Sequence, residues 1–233
     1  AHGLKSRGGA SYRLFVRPDE PPTISIQQPE SLIEATVDAT IVIKFKATDD
    51  VGVERVTLWA GRAGSSPQSI FERNGVSAGS TSPEKEIIAR YDWSLKAFGA
   101  VTGEVIEYYA EARDGFSLGD RSHAPVRSGI GRIRVVSSSR MAEKLRLDLL
   151  SVREQLRRML TEMQGSMKRT AALEVGPAAR SALTEAQKAD ARQIADELDR
   201  LGLSAVSTAD ALARLVREAQ MNGESQSTTA QQA

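Results

Sequence analysis

Two adjacent aspartates, Asp49 and Asp50, lie in the stretch KATDDVGVERVTLW at 46–59. Paired carboxylates can hold a hard cation, share a proton as an acid/base pair, or cap a turn. A third acid, Asp114, lies in RDGFSLGD at 113–120, which also holds Asp120, and RPDEPP at 17–22 contributes Asp19 and Glu20. Calcium takes six to eight oxygens in loose geometry, so Asp49, Asp50 and Asp114, with Asp19, Glu20 and Asp120 nearby, form the calcium set a fold would have to gather. The plainer reading is that Asp caps its own backbone two residues on and Gly52 and Gly115 ease the turns.

Other chemistry is sparse. Asp120, Ser122 and His123 are a local trio, but neighbours on one loop seldom reach the geometry of a hydrolytic triad, so His123 reads as a solvated loop residue. His2 lies in the first few residues. Trp59 alternates in phase with Arg55 and Thr57, which makes Trp59 and Arg55 the candidate binding pair for a sugar or a protein; the competing expectation packs the indole under residues 61–86. Trp93, in phase with Ile87 and Tyr91, reads as core. Two histidines, no cysteine and no phosphate-cradling glycine loop leave few catalytic parts, so a non-enzymatic role is expected.

These residues need elements to position them. In ATIVIKFKA at 39–47, Ile41, Ile43, Phe45 and Ala47 share one face and Val42, Lys44 and Lys46 the other, the period of a half-buried strand. EVIEYYAEA at 104–112 and IIARYDWSL at 87–95 repeat the pattern, and TISI at 23–26, RVTLWA at 55–60, SIFE at 69–72 and GRIRVV at 131–136 complete about seven strands. Their apolar faces need cover, and a second sheet supplies it where no helical period intervenes. The expected fold is thus an immunoglobulin-like β-sandwich over 21–137, in which the loops holding Asp49 and Asp114 neighbour each other at one end. The Gly-, Ser- and Pro-rich stretch 61–86 is expected to be a long exposed connection with at most one short edge strand. Residues 1–20 read as the last strand of a preceding domain, at 11–16, followed by a stiff linker.

After Val136 the period changes. Leu145, Leu149, Val152, Leu156, Met159 and Met163 recur at intervals of four and three, a heptad seam on a helix of about 28 residues capped by Ser138 or Ser139. EVGPAARS breaks it. Thr184 and Gln187 form a capping box for a second helix that Gly202 closes, and Ser207 opens a third, giving a three-helix coiled-coil or bundle segment over 138–221 and a disordered polar tail over 222–233. The seam must be covered either by the later helices or by another chain, so protein partners or self-association through the helices are expected.

At PPTISI, ATDDVGVERVTLW, YDWSL, EVIEYYAEARDGFS and GRIRVVS the chain resembles bacterial immunoglobulin-like domains related to fibronectin type III and cadherin repeats, over residues 21–137. With a helical seam directly after the last strand it also resembles large bacterial membrane-anchored envelope proteins in which such a domain precedes coiled-coil segments. That resemblance implies an extracytoplasmic or periplasmic position and a structural role, and it brings no catalytic residues.

Charge and length fit a soluble two-part chain. With 31 Lys and Arg against 30 Asp and Glu in 233 residues, the net charge of +1 gives no field to attract nucleic acid. No apolar run approaches the ~20 residues of a membrane span, so membrane attachment is expected only through segments outside this sequence, of which the chain reads as an excised piece.

Overall fold

The structure, a computed structural model, describes residues 18–76, 82–118, 120–173 and 184–223. In chain order its elements are β1 (Thr23–Gln28), β2 (Leu32–Ala35), β3 (Thr40–Thr48), β4 (Val53–Arg62), β5 (Gln68–Asn74), β6 (Glu86–Ser94) and a single turn of helix, α1 (Leu95–Phe98). Then follow β7 (Val105–Asp114), β8 (Ser117–Leu118), β9 (Arg121–Ser122), β10 (Val126–Arg127), β11 (Gly131–Val135), α2 (Ser138–Leu173) and α3 (Glu185–Met221). The strand expected at 11–16, the break at 174–181 and part of the long connection, 77–81, lie outside the described residues.

All seven expected strands are present. β1, β3 and β6 form one sheet in the order β1-β3-β6; β2-β11-β7-β4-β5 form a second, with β10 also on β7; β8 and β9 pair separately. The alternation read in β3 is the alternation that buries it: Ile41, Ile43, Phe45 and Ala47 are fully buried. They meet Val56, Leu58 and Ala60 of β4 and Ile106, Tyr108 and Ala110 of β7 in one core between the two larger sheets. Trp93 of β6 stands edge-on to Tyr108 of β7, ring centroids 6.0 Å apart, and to Phe98, 5.1 Å away. The Tyr108 ring covers Gly131 of β11, where a Cβ would lie 2.2 Å from Cζ of the ring, so only glycine permits this approach. Burial pushes the Tyr108 phenol up to about 12.

The second sheet departs from expectation in two places. β2 has no strong alternation in LIEA, and it exists because its backbone pairs in parallel with β11, Ile33 opposite Ile133. β5 is longer than the weak edge strand expected and forms a hairpin with β4, Leu58 opposite Phe71, so 61–86 is not one long connection. Ser94 caps α1 by accepting from the Ala97 amide, and Gly99 at φ 79° ends it.

Among the described residues there are two long helices, not three. α3 runs unbroken through Gly202 and Ser207 because its facing row, Ile194, Leu201, Thr208 and Leu215, continues at seven-residue spacing against α2. A helix-interior glycine costs about 1 kcal/mol relative to alanine, less than abandoning a packed turn. Thr208 returns its hydroxyl to the Ser204 carbonyl (2.8 Å), satisfying itself inside the helix. The capping box at Thr184 and Gln187 is present. At the start of α2 the capping oxygen is that of Ser137, which accepts from the Arg140 amide, not Ser138 or Ser139. α2 has 36 residues, about 54 Å, longer than expected.

α2 and α3 pack antiparallel, as three cross-helix pairs fix: Lys144 with Glu218, Met159 with Thr208, and Arg169 with Glu197. Their other ends reach the sheets. Met141, Leu145 and Val152 pack with Val136 and Leu215 in a second core, and Met221 touches the first. Asn222, placed by the sequence in a disordered tail, is 7% exposed: its Oδ1 accepts from the Thr36 amide at 2.7 Å and its Nδ2 donates to the Glu218 carbonyl at 2.8 Å.

Candidate functional site

The strand ends that carry the carboxylates do converge. Asp114 continues the inward row Ile106, Tyr108, Ala110 and Ala112 to the last position of β7, so period-two geometry drives an acid to 5% exposure. Opposite it in the register is Val53 at the start of β4, directly after the turn with Asp49 and Asp50. Asp49 Oδ2 accepts from the amides of Val51 (3.0 Å) and Gly52, the turn-capping role anticipated for it, while its Oδ1 is buried without a partner. Gly52 has a positive φ of 157°, and a Cβ there would strike Pro83. Asp50 Oδ1 takes a long bond, 3.4 Å, from the Glu20 amide, and Lys85 Nζ holds the Asp50 carbonyl at 2.7 Å.

The connector supplies the residue that joins these groups. Asp19 gathers Asp49 and Asp50 on one side and Asp114 and His123 on the other, with one ligand atom from each residue of either trio within 4.8 Å of the others. Asp49 and Asp50 are therefore not in a single cluster with Asp114, as expected, but in two that share Asp19. Asp19 Oδ1 is also buried and unpartnered. Burial first, then repulsion from Asp50 and Asp49, holds its carboxyl above the usual range. Asp120 is in neither trio. Carboxylate oxygens of this kind suit calcium, and the cleft beside them, about 400 Å³, is lined by Asp19, Gly52, Pro83, Asp114 and Phe116.

His123 does not pair with Asp120 and Ser122. Its Nδ1 lies 2.6 Å from Asp114 Oδ2, and its ring stacks on Phe116 with centroids 4.6 Å apart. The hydrogen bond to Asp114 raises its pKa above the ordinary 6.5, burial opposes this, and the charges of Asp114, Asp19 and Asp49 add to the rise. A raised histidine pKa stabilises the fold fully below the ordinary value and loses that contribution as pH climbs through the folded value. The urea midpoint is therefore expected to fall between about pH 6 and about pH 8, and to fall less in His123→Gln. An equal slope in both proteins would exclude the pair as its source.

The second candidate lies on the outer face of the larger sheet. A register shift between Val53 and Arg55 changes the parity of β4, so Val56, Leu58 and Ala60 point into the core while Arg55, Thr57 and Trp59 point out together, as the sequence implied. Glu72 of β5 and Glu111 and Arg113 of β7 complete a concavity of about 210 Å³. Trp59 is half-buried in it and its indole Nε1 has no hydrogen-bond partner. Its neighbours are not bare charges: Arg55 pairs with Glu72 at 3.5 Å, and Arg127 pairs with Glu111 while stacking over Tyr109. Trp93, by contrast, is 2% exposed, the core residue anticipated.

Sequence reasoning missed His123 as a partner of Asp114. Phase marks Asp114 as inward, but nothing in RSHAP marks the β8-β9 hairpin that folds His123 back over it.

The molecule thus belongs to the broad class of sheet-rich domains that lead directly into long helices. No family model matches the chain, and no curated protein matches it. Among solved structures it is weakly similar to the fibronectin(III)-like modules of Clostridium thermocellum CbhA, at 20% identity and a TM-score of 0.31 over 51% of this chain; the match spans about half, 48%, of that one. It also matches a Niemann-Pick type C2 protein from Japanese carpenter ant, at 18% identity and TM-score 0.28 over 50% of this chain and 91% of that one, and the hypothetical protein PH1083 from Pyrococcus horikoshii, at 10% and 0.24 over 40% and 76%. Among the described residues no helix is long and apolar enough to cross a membrane.

Proposed function

We propose that this protein is a non-enzymatic interaction module of a larger bacterial envelope protein: an immunoglobulin-like sandwich, of the kind related to fibronectin type III and cadherin repeats, serves as spacer or recognition head, and the helices hold partners. The observation that carries this reading is the fixed joint between the two parts, where Asn222 closes on Thr36 and Arg140 reaches Glu34. A helical pair tethered at both its sheet-side ends holds its direction, which suits a part that presents a surface and has no use in a freely hinged tail. An extracytoplasmic position and anchoring through other segments belong to the same proposal. Photo-crosslinkers placed at exposed positions of α2 and α3 in the parent cells are expected to trap defined protein bands, and no band at any position would sink it.

A second reading is favoured by the unpartnered indole of Trp59 among Arg55, Glu72 and Arg113: a carbohydrate- or peptide-binding accessory domain, with calcium at the Asp19 junction. Glycan-array binding lost in Trp59→Ala and strengthened by millimolar calcium would support it, and a clean array would remove its carbohydrate form.

A further inference from the structure

The helical hairpin is lopsided. On each helix the row that faces the other is spaced by seven: Leu145, Val152, Met159 and Ser166 on α2, and Ile194, Leu201, Thr208 and Leu215 on α3. A residue four further along a helix sits about 40° around it. When the partner helix runs antiparallel the sense of rotation reverses with the axis, so the rows four residues on from the two facing rows lie on the same side of the pair. On α2 that flank holds Leu149, Leu156 and Met163, and beyond it Leu160 and Met167; all five are 44% to 62% exposed. On α3 it holds Leu198, Ala205 and Leu212, and beyond it Gly202, Ala209 and Val216. The opposite flank is polar, and there the cross-helix pairs Lys144 with Glu218 and Arg169 with Glu197 are made. Half of the heptad seam expected from the sequence therefore remains open.

We propose that a second copy of this chain covers this face, about a two-fold axis parallel to the helices, so that α2 of each copy lies against α3 of the other in a four-helix arrangement. The inference rests on reading the helices as the interacting part. Three features select this occupant and orientation. First, the two surfaces are complementary in size: α2 offers long side chains, while between its own Leu198 and Leu212 α3 offers Gly202, Ala205 and Ala209, all exposed, and a Cβ at Gly202 would meet nothing within 4 Å in its own chain. Large ridges enter grooves lined by small residues, and α2 against α2 would set large upon large. Second, charge agrees. α2 is net basic and α3 net acidic. The levels fixed by Lys144 with Glu218 and Met159 with Thr208 put Arg153 and Arg157 of one copy at the height of Asp210 on the rim of the other, and Leu160 at the height of Val206. Third, the face is roughly 30 Å long and two helices, about 20 Å, wide, of the same order as the ~800 Å² per partner of a stable interface.

The test is the mass of the whole chain in solution, by sedimentation over micromolar to near-millimolar concentration. The expected result is a dimer that both Leu160→Gln and Gly202→Gln convert to monomer with helical circular dichroism retained, since glutamine favours helix over glycine and Gly202 touches nothing in its own chain. A strict monomer, or a dimer indifferent to Gly202→Gln, overturns the proposal. The chain has no cysteine, so a mixture of Leu160→Cys and Val206→Cys chains should form the mixed disulfide on oxidation; crosslinking of Leu160→Cys only with itself overturns the orientation. A monomer that nonetheless traps another protein in cells leaves the interaction-module reading standing and removes only the second copy, whereas a monomer with no trapped protein removes both.

Discussion

Trp93→Ala is expected to lower the unfolding free energy by about 3–5 kcal/mol, enough to remove much of the stability of a domain that has about 5–15 kcal/mol in all. The indole is 2% exposed and edge-on to both Tyr108 of the facing sheet and Phe98 of the turn that closes β6. Its removal leaves a cavity where the two sheets meet, and the Tyr108 ring, held over Gly131, cannot turn to fill it. Urea unfolding followed by tyrosine and remaining tryptophan fluorescence measures the effect. A loss below about 1 kcal/mol would mean that the sheets close without this ring.

The second large effect concerns the joint. Asn222→Ala strips the acceptor from the buried Thr36 amide and removes one of the two donors to the Glu218 carbonyl, which keeps the bond from the backbone amide of residue 222. A buried group left unsatisfied, here the Thr36 amide, costs about 1–3 kcal/mol. The consequence should be local before it is global. Hydrogen exchange is expected to quicken at the Thr36 amide and in the last turns of α3, while β3 and β7 keep their protection. Uniform acceleration through β3 and β7 would show that the helices and sheets unfold as one unit, and an unchanged Thr36 would deny the bond its role.

How much of this could be read beforehand follows from how local each cause is. β3, β6 and β7 announce themselves because one sheet face is wet and the other dry, and period two records that in Ile41, Ile43 and Phe45 as plainly as in Ile106 and Tyr108. The same arithmetic exposed Trp59 with Arg55 and buried Trp93. β2 escaped because its cause, the parallel edge of β11, lies about a hundred residues away. Gly202 and Ser207 misled because their local preference for ending and starting helices is real but small, and the row Leu201, Thr208 and Leu215 outweighs it through contacts with α2. At the acidic end the convergence of the two loops and the entry of Asp19 beside them followed from topology, with β1 antiparallel to β3, whereas the division into two clusters that share Asp19 and the turn of His123 toward Asp114 depend on loop paths that no periodicity encodes.

The chain enters beside Asp114 and leaves for α2 after Val135, at the opposite pole of the sheets. Tension between those two points runs along β1 and β11, not across them. The rungs joining β1 to β3, and β11 to β2 and β7, then carry load side by side in shear, where many must fail together, instead of opening one after another like a zip.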